Sequence, residues 1–474
     1  LISFIFAIVY TFCLYKNHSG ITYPIFMAAT LTCLGYLRHK EGKTLISDVN
    51  GNKVLGIFYI ASLMLLAIHR CLTTSWAIIA LETLSTILLM FSYVIFLYID
   101  TSKFDVAAWF ESLFFTVLKP IEHFTSPVID FIAFRVDNTG KMDEEKKKNL
   151  YAVFIGIVIA IPLLMIVISL LSSADMVFSR LTNNLWHSIE LPTNFGDIIG
   201  VILTAVGIFW IAYTVICSLG KKELSIKTGV RGSNNPIIAI TFTSILGIVY
   251  VAFCLIQVLC LFTGTVELPA SYTYAGYAHE GFYQLVFVCL INLIMVSLCQ
   301  RIFKKSNVLR LILTTIVVCT YIMIASSAYR MLLYIGVYHL TFLRLFVLWF
   351  LVVLAVWLLF LIISMYKENF PVFKASMVAI TIAFVGFVYA NPDYQIAKYD
   401  LLVTADKIDE YSSVQDYILD NLSTDAAPAL VEKPILMKQF ELEVISRYNQ
   451  EHFNGIRKYN ISYERAQVLF ENTK

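Results

Sequence analysis

Charge is scarce in this sequence. Of its 474 residues only 14% are Asp, Glu, Lys or Arg, while 59% are hydrophobic; soluble domains carry about a quarter charged residues and about half apolar ones. So little charge cannot coat a soluble globule of this length, and the chain reads as a polytopic membrane protein. The net charge is only +2, and the basic residues sit in short stretches between apolar runs, which excludes a nucleic-acid footprint. Cysteine pairing is missing as well. The nine cysteines, Cys13, Cys33, Cys71, Cys217, Cys254, Cys260, Cys289, Cys299 and Cys319, lie in or at the ends of apolar runs with no CxxC pair and no neighbouring histidine. That pattern argues against a disulfide framework and against a zinc site, and leaves small apolar residues packed between helices. There is no GxSxG or HExxH, and GVRGSNN, Gly229 to Asn235, lacks the spacing and the strand of a phosphate-binding loop. Neither a cofactor nor a metal is expected. The first residue, Leu1, already lies in an apolar run, so the numbering is read as beginning within the chain.

What is abundant is apolar sequence in runs of near-membrane length: Leu1 to Tyr15, Ile21 to Leu37, Val54 to Ile68, Ala77 to Tyr98, Tyr151 to Leu171, Ile198 to Leu219, Pro236 to Phe262, Phe282 to Phe303, Val308 to Ser327, Thr341 to Met365 and Pro371 to Ala390. A span must satisfy its own backbone, so each is expected as a helix of roughly 20 residues. The fold expected is all-α: a transmembrane bundle of about eleven spans.

Lysines and arginines orient the spans, because cytoplasmic loops retain them. They accumulate after spans two (Arg38, Lys40, Lys43, Lys53), four (Lys103 to Lys148), six (Lys221, Lys222, Lys227, Arg231), eight (Lys304, Lys305, Arg310) and ten (Lys367, Lys374). The alternate loops hold Lys16, Arg70, Arg180, none in Thr265 to Gly281, and Arg330. The visible N-terminus is therefore placed inside and the end of the last span outside.

Four regions follow: spans one to four over 1–100, a cytoplasmic elbow and linker over 101–150, spans five to eleven over 151–390, and a small extracytoplasmic helical domain over 391–474. In the elbow, Asp105, Ser112, Thr116 and Lys119 form a polar stripe on an aromatic helix broken at Pro120 and Pro127, as in a helix lying in the membrane interface. In the tail, Ile408, Tyr411, Val414, Ile418 and Leu422 form a helical stripe, Pro434 opens a second helix and Ser462 caps a third.

The candidate site is on the outer face. Ala270 to Leu285, ASYTYAGYAHEGFYQL, has no Lys or Arg and carries Tyr277, His279 and Glu280 where a span begins; ionisable groups so near hydrocarbon imply partners. The loop after span nine supplies Arg330, Tyr334 and His339, and Arg344 follows a turn into the next helix. Glu280 with Arg330 or Arg344 is the first contact expected, since a guanidinium beside a carboxylate favours both charged forms. The reading is of a non-enzymatic protein binding a small anionic ligand or a partner membrane protein at these residues. One alternative is a transporter with a pathway through Glu82 and Asn292; another is a membrane enzyme acting on a lipid-linked substrate through His279 and Glu280. Otherwise these groups cap helices and knit the outer loops to the tail.

Several runs carry a resemblance: YAGYAHEGFYQL (Tyr274 to Leu285), SSAYRMLLYIGVYHLTFLRL (Ser326 to Leu345), LLSSADMVFSRL (Leu170 to Leu181), NPDYQIAKYD (Asn391 to Asp400) and LSTDAAPAL (Leu422 to Leu430). The chain, from about Lys103 onward, resembles the bacterial polytopic membrane family catalogued as domain of unknown function 4153/4173. The resemblance implies a membrane bundle with an outer C-terminal part and supplies no activity, substrate or cofactor. It also implies an aromatic-alanine-arginine-x-glycine-phenylalanine block where this chain has Tyr277 to Phe282, with His279 at the arginine position. A glycine is the family's usual residue where this chain has His339.

Overall fold

The computed structural model describes residues 1–130 except 18, 102 and 103, scattered helical positions between 152 and 180, and then 195–220, 232, 234–259, 274–367, 370–403, 408–448 and 455–472. Side chains are described for the same residues except 107, 195, 274–281 and 408–412. The described chain is all helical, with no strand. Its helices are α1 (Ile2–Leu14), α2 (Thr22–Lys40), α3 (Val54–His69), α4 (Trp76–Tyr98), α5 (Val106–Glu122), α6 (Phe195–Gly220), α7 (Pro236–Gln257), α8 (Tyr274–Ile302), α9 (Asn307–Tyr338), α10 (Phe342–Tyr366) and α11 (Val372–Tyr389), followed in the tail by α12 (Pro392–Val403), α13 (Ile408–Asn421), α14 (Pro434–Arg447) and α15 (Ile461–Asn472). Seven of the described helices, α4 and α6 to α11, are long and apolar enough to cross a membrane; α1 and α3 are apolar but shorter. The expected first, second and third spans are occupied by α1, α2 and α3, and the expected fifth span falls largely outside the described residues.

Two compact units are present, Leu1–Lys16 with Phe115–Leu224, and Asn17–Phe114 with Ser225–Lys474. In the first, α1 packs along α6, and Lys16 Nζ meets Asp197 2.5 Å away with both side chains mostly exposed, a pair of little energetic weight.

The second unit holds the larger bundle, with α8, α9 and α10 packed around Val296, Ile316, Val317 and Leu358, all fully buried. The tail is continuous with this core: Val414, Ile418, Phe440 and Phe470 are buried in the same cluster. Hydrogen bonds sort the connections of this unit into two ends. At one end, Gly20 N–H donates to Arg70 O, Ile21 N–H to Tyr459 O and Ile461 N–H to Cys71 O, and Leu340 N–H donates to Asp400. Thus the connections α2 follows, α3 to α4 and α9 to α10 all meet the tail. At the other end, Arg38 lies over the Tyr98 ring, Arg301 pairs with Asp105 at 3.1 Å, Gly232 N–H reaches Arg301 O, and Phe104 packs on Phe373. Among the described connections of this unit, the lysine-rich ones therefore lie at one end and the lysine-poor ones at the other.

Two glycines permit close approaches here. Gly20 adopts φ +134° with Arg457 and Tyr459 carbonyls against its missing side chain, and a Cβ on Gly56 would overlap the carbonyl oxygen of Ile46.

Three local expectations are corrected. Helix α5 continues past Pro120 and ends two residues later at Glu122, and its Ser112 and Thr116 are buried rather than facing water, while Phe110 and Phe114 are exposed. Helix α9 runs on to Tyr338, eleven residues beyond the expected end of that span, because nothing in SSAYRMLLYIGVY stops a helix. Helix α15 is capped by Asn460, whose Oδ1 accepts from Ser462 N at 3.0 Å and Tyr463 N at 3.3 Å, and not by Ser462.

Candidate functional site

The seven candidate residues divide three ways. Tyr277, His279 and Glu280 lie in the first turns of α8, and their side chains are outside the described residues, as is any pairing of Glu280 with Arg330 or Arg344. Arg330 is not in a loop. It lies two turns inside α9, 4% exposed, with Nη2 donating to Gln257 Oε1 at 3.2 Å; the same oxygen accepts from Ser326 Oγ at 2.7 Å. An arginine so enclosed ties α9 to α7.

The remaining three, Tyr334, His339 and Arg344, come together. The α9 helix ends at His339, whose backbone is at φ 60°, ψ 174°, a region that glycine occupies readily and other residues only under strain. The following turn is held by the tail: Asp400 Oδ1 accepts Leu340 N–H at 2.7 Å, and Tyr417 Oη accepts Phe342 N–H at 3.0 Å. The His339 ring packs on Tyr417 at 5.3 Å. Its Nδ1 is 3.7 Å from Asp400 Oδ2. Burial pushes the Asp400 carboxyl up to about 7 against the pull of Leu340 N–H and Arg344, and burial lowers the His339 pKa, so each group shifts toward its neutral form.

One turn on, the guanidinium carbon of Arg344 lies over the Tyr334 ring, 4.3 Å from its centre. Its Nη1 donates to Tyr338 O at 2.6 Å and also to His339 O. These bonds satisfy the two carbonyls that the end of α9 leaves open, and a cation there also meets the negative end of the helix dipole. Among the described residues no carboxylate lies within ion-pair distance of Arg344. Beside it is a cavity of about 210 Å³ lined by Phe282, Tyr283, Met331, Tyr334, Thr341, Leu343 and Arg344. Phe282 and Tyr283 follow directly on the Tyr277 to Glu280 stretch in α8. The arrangement offers a half-buried guanidinium whose Nε and Nη2 make no hydrogen bond among the described residues, with aromatic walls and a hydroxyl.

The same end of the bundle holds a second polar cluster that sequence reasoning did not single out. Asp425 is buried and accepts from Thr73 Oγ1 at 2.6 Å, from Thr74 N at 3.1 Å and from Ser462 Oγ. Thr424 bonds both Thr74 Oγ1, at 2.6 Å, and Ser462 Oγ, at 2.9 Å. Asp393 Oδ2 takes Ser423 N–H and Oγ–H at 3.1 and 2.7 Å. Burial raises the pKa of Asp393 and pushes Asp425 up to about 6, with the hydroxyl donors opposing. Ser423, Thr424 and Asp425 fall in LSTDAAPAL, so the signal was in a run already noticed for another reason.

Glu82 and Asn292, the transporter candidates, are both fully buried. Glu82 Oε1 is 2.5 Å from His69 Nδ1, and its Oε2 is 3.2 Å from Arg70 Nε. Asn292 Nδ2 donates to Thr320 Oγ1 at 3.0 Å, joining α8 to α9 as a mid-span asparagine usually does. Neither lines the Arg344 cavity or the larger apolar one near α5.

With this geometry in view, the comparisons with known proteins are short. The family model described as Domain of unknown function (DUF4153) matches residues 26–433. The chain belongs to this family. The match begins well before Lys103, so it takes in α2 to α4 and most of the tail network through Asp425. No curated protein and no solved structure matches the chain. The backbone at His339, φ 60° and ψ 174°, is one that glycine adopts without strain.

Proposed function

We propose that this DUF4153 protein is a non-enzymatic binding protein of the bacterial cytoplasmic membrane, with its site at the Arg344 cavity and the tail end of the bundle facing outward. The ligand is a small phosphate- or carboxylate-bearing anion, either free or as a lipid headgroup. The observation that carries this is the state of Arg344: a half-buried cation, held by Tyr334 and two carbonyls and lining a cavity, whose Nε and Nη2 make no hydrogen bond among the described residues. A guanidinium fixed in this way presents a planar fork to an oxyanion. Tyr277, His279 and Glu280 precede the wall residues Phe282 and Tyr283 in the same helix, and His339 ends the helix that carries Tyr334. The outward orientation rests on the lysines and arginines gathered at the opposite end; a cysteine at Ser271 labelled from outside, with one at Lys222 protected, would agree with it.

The test is equilibrium binding by the purified full chain of inorganic phosphate and, separately, of short-chain phosphatidic acid. Saturable binding of either, weakened at least tenfold in Arg344→Gln and unchanged in Lys367→Gln, is expected. Phosphate binding alone identifies a soluble anion; binding of the lipid alone identifies a headgroup. No saturable binding of either, or equal binding by Arg344→Gln, rejects the site.

A further inference from the structure

A second cavity, of about 230 Å³, lies between α3, α4, α5, α10 and α11 and has no part in the site above. Interiors packed at ordinary density rarely leave space larger than a water molecule, and an apolar void of about 150 Å³ already holds a benzene. The lining is hydrocarbon and ring: Trp109, Trp349, Trp357 and Phe373 are among its walls.

The polar groups of that wall are unequal. Trp109 Nε1 donates to Ser92 Oγ at 2.9 Å, Trp349 Nε1 to Ala383 O at 3.1 Å and Thr381 Oγ1 to Met377 O at 2.8 Å. By contrast, the Trp357 indole N–H and the Ser376 hydroxyl are buried with no hydrogen-bond partner among the described residues. Within a membrane there is no bulk water to serve such groups, so they favour an occupant with an acceptor oxygen. The depth is informative. Ser376 is four residues from the start of α11, about 6 Å along the helix axis, and Phe110 at the cavity edge is 57% exposed. This is the level at which the hydrocarbon of a bilayer gives way to its polar interface.

We propose that this cavity takes one acyl chain of a membrane phospholipid, with an ester carbonyl oxygen accepting from Trp357 Nε1 or the Ser376 hydroxyl. The apolar lining excludes the charged headgroup, which stays in the interface beside α5. The proposal is independent of the Arg344 site, whose lining shares no residue with it.

The full chain, purified in detergent and stripped of lipid, is titrated with phosphatidylglycerol carrying brominated acyl chains, with tryptophan fluorescence as the readout. Saturable quenching near one lipid per chain is expected. Ser376→Phe, which fills the space, should abolish the saturable part, and Leu359→Phe, on an exposed surface, should keep it. Trp357→Phe, which keeps a ring and removes the donor, should weaken binding at least fivefold. Quenching that rises linearly with lipid fraction and is equal in wild type and Ser376→Phe would overturn the proposal. So would a brominated alkane binding as tightly as the lipid, because the carbonyl would then be irrelevant. Should Ser376→Phe fail to fold, Trp357→Phe decides, and undiminished affinity there rejects the assignment.

Discussion

Asp425 and Arg344 sit at the same end of the bundle and treat their charge differently. Asp425 receives hydrogen bonds from Thr73, Thr74 and Ser462, drawn from the α3 to α4 connection and from α15, and Ser462 and Thr424 are bonded in turn. Arg344 gives one nitrogen to two carbonyls, sits over a ring and lines a cavity. A network with matched donors and acceptors fixes the tail to the bundle and has no capacity left for a ligand. A cation held in place but not neutralised has that capacity. Removing Asp425 should therefore cost stability, and removing Arg344 should cost binding.

The largest effect is expected at Asp425. Asp425→Ala strands buried donors from two elements and should lower stability by about 3 kcal/mol or more, seen as a lower thermal midpoint in detergent and faster proteolysis of the tail. Arg344→Gln should change the midpoint by less than about 1 kcal/mol, as expected of a partly exposed group. A reversal of the two would break the distinction.

The link between tail and site is sharpened through pH. Asp400 holds Leu340 N–H, and its folded pKa of about 7 lies above the ordinary aspartate value. Its contribution is then favourable at low pH and is lost as pH rises from near 4 through about 7, because the folded state retains a proton that the unfolded state has released. Asp400→Asn keeps an oxygen for Leu340 and removes the titration. The variant should gain stability over wild type as pH rises from 5 to 7, by up to about 1.4 kcal/mol per pH unit; parallel pH profiles would refute this. Asp425 and Asp393 titrate in the same direction in both proteins and cancel in the comparison.

The smallest effect concerns His339. His339→Gly relieves the φ 60°, ψ 174° backbone and loses the ring contact with Tyr417. Strain of this kind is worth about 1 to 3 kcal/mol and an aromatic contact about 0.5 to 1.5, so a net gain of about 1 kcal/mol is expected in the thermal midpoint. A loss would mean that His339 is held for its side chain.

Much of the fold was legible in the sequence because membrane spans announce themselves by length and apolarity, and α4, α6, α7, α10 and α11 fall within a few residues of the apolar runs. The grouping of connections at two ends was legible too, since lysine and arginine counts alternate with the spans. What composition could not give was the extent of a helix beyond its apolar core. Arg330 looked like a loop residue because polar SSAYR follows the run, yet backbone hydrogen bonding continues to Tyr338 and encloses the arginine. The Asp425 network was hidden because it joins Thr73 to residues some 350 positions away, and Ser462 resembled a cap because its role in that network is not local. His69 and Arg70 became partners of Glu82 only once α3 and α4 lay side by side.

The central claim, that Arg344 fronts a ligand site, is tested most directly by a cysteine placed at Thr341 in its cavity wall. Alkylation of Thr341→Cys by a small thiol reagent should slow severalfold in saturating phosphate or short-chain phosphatidic acid compared with chloride at equal ionic strength, and this protection should vanish when Arg344→Gln is added. Equal alkylation rates in all three anions would contradict the claim.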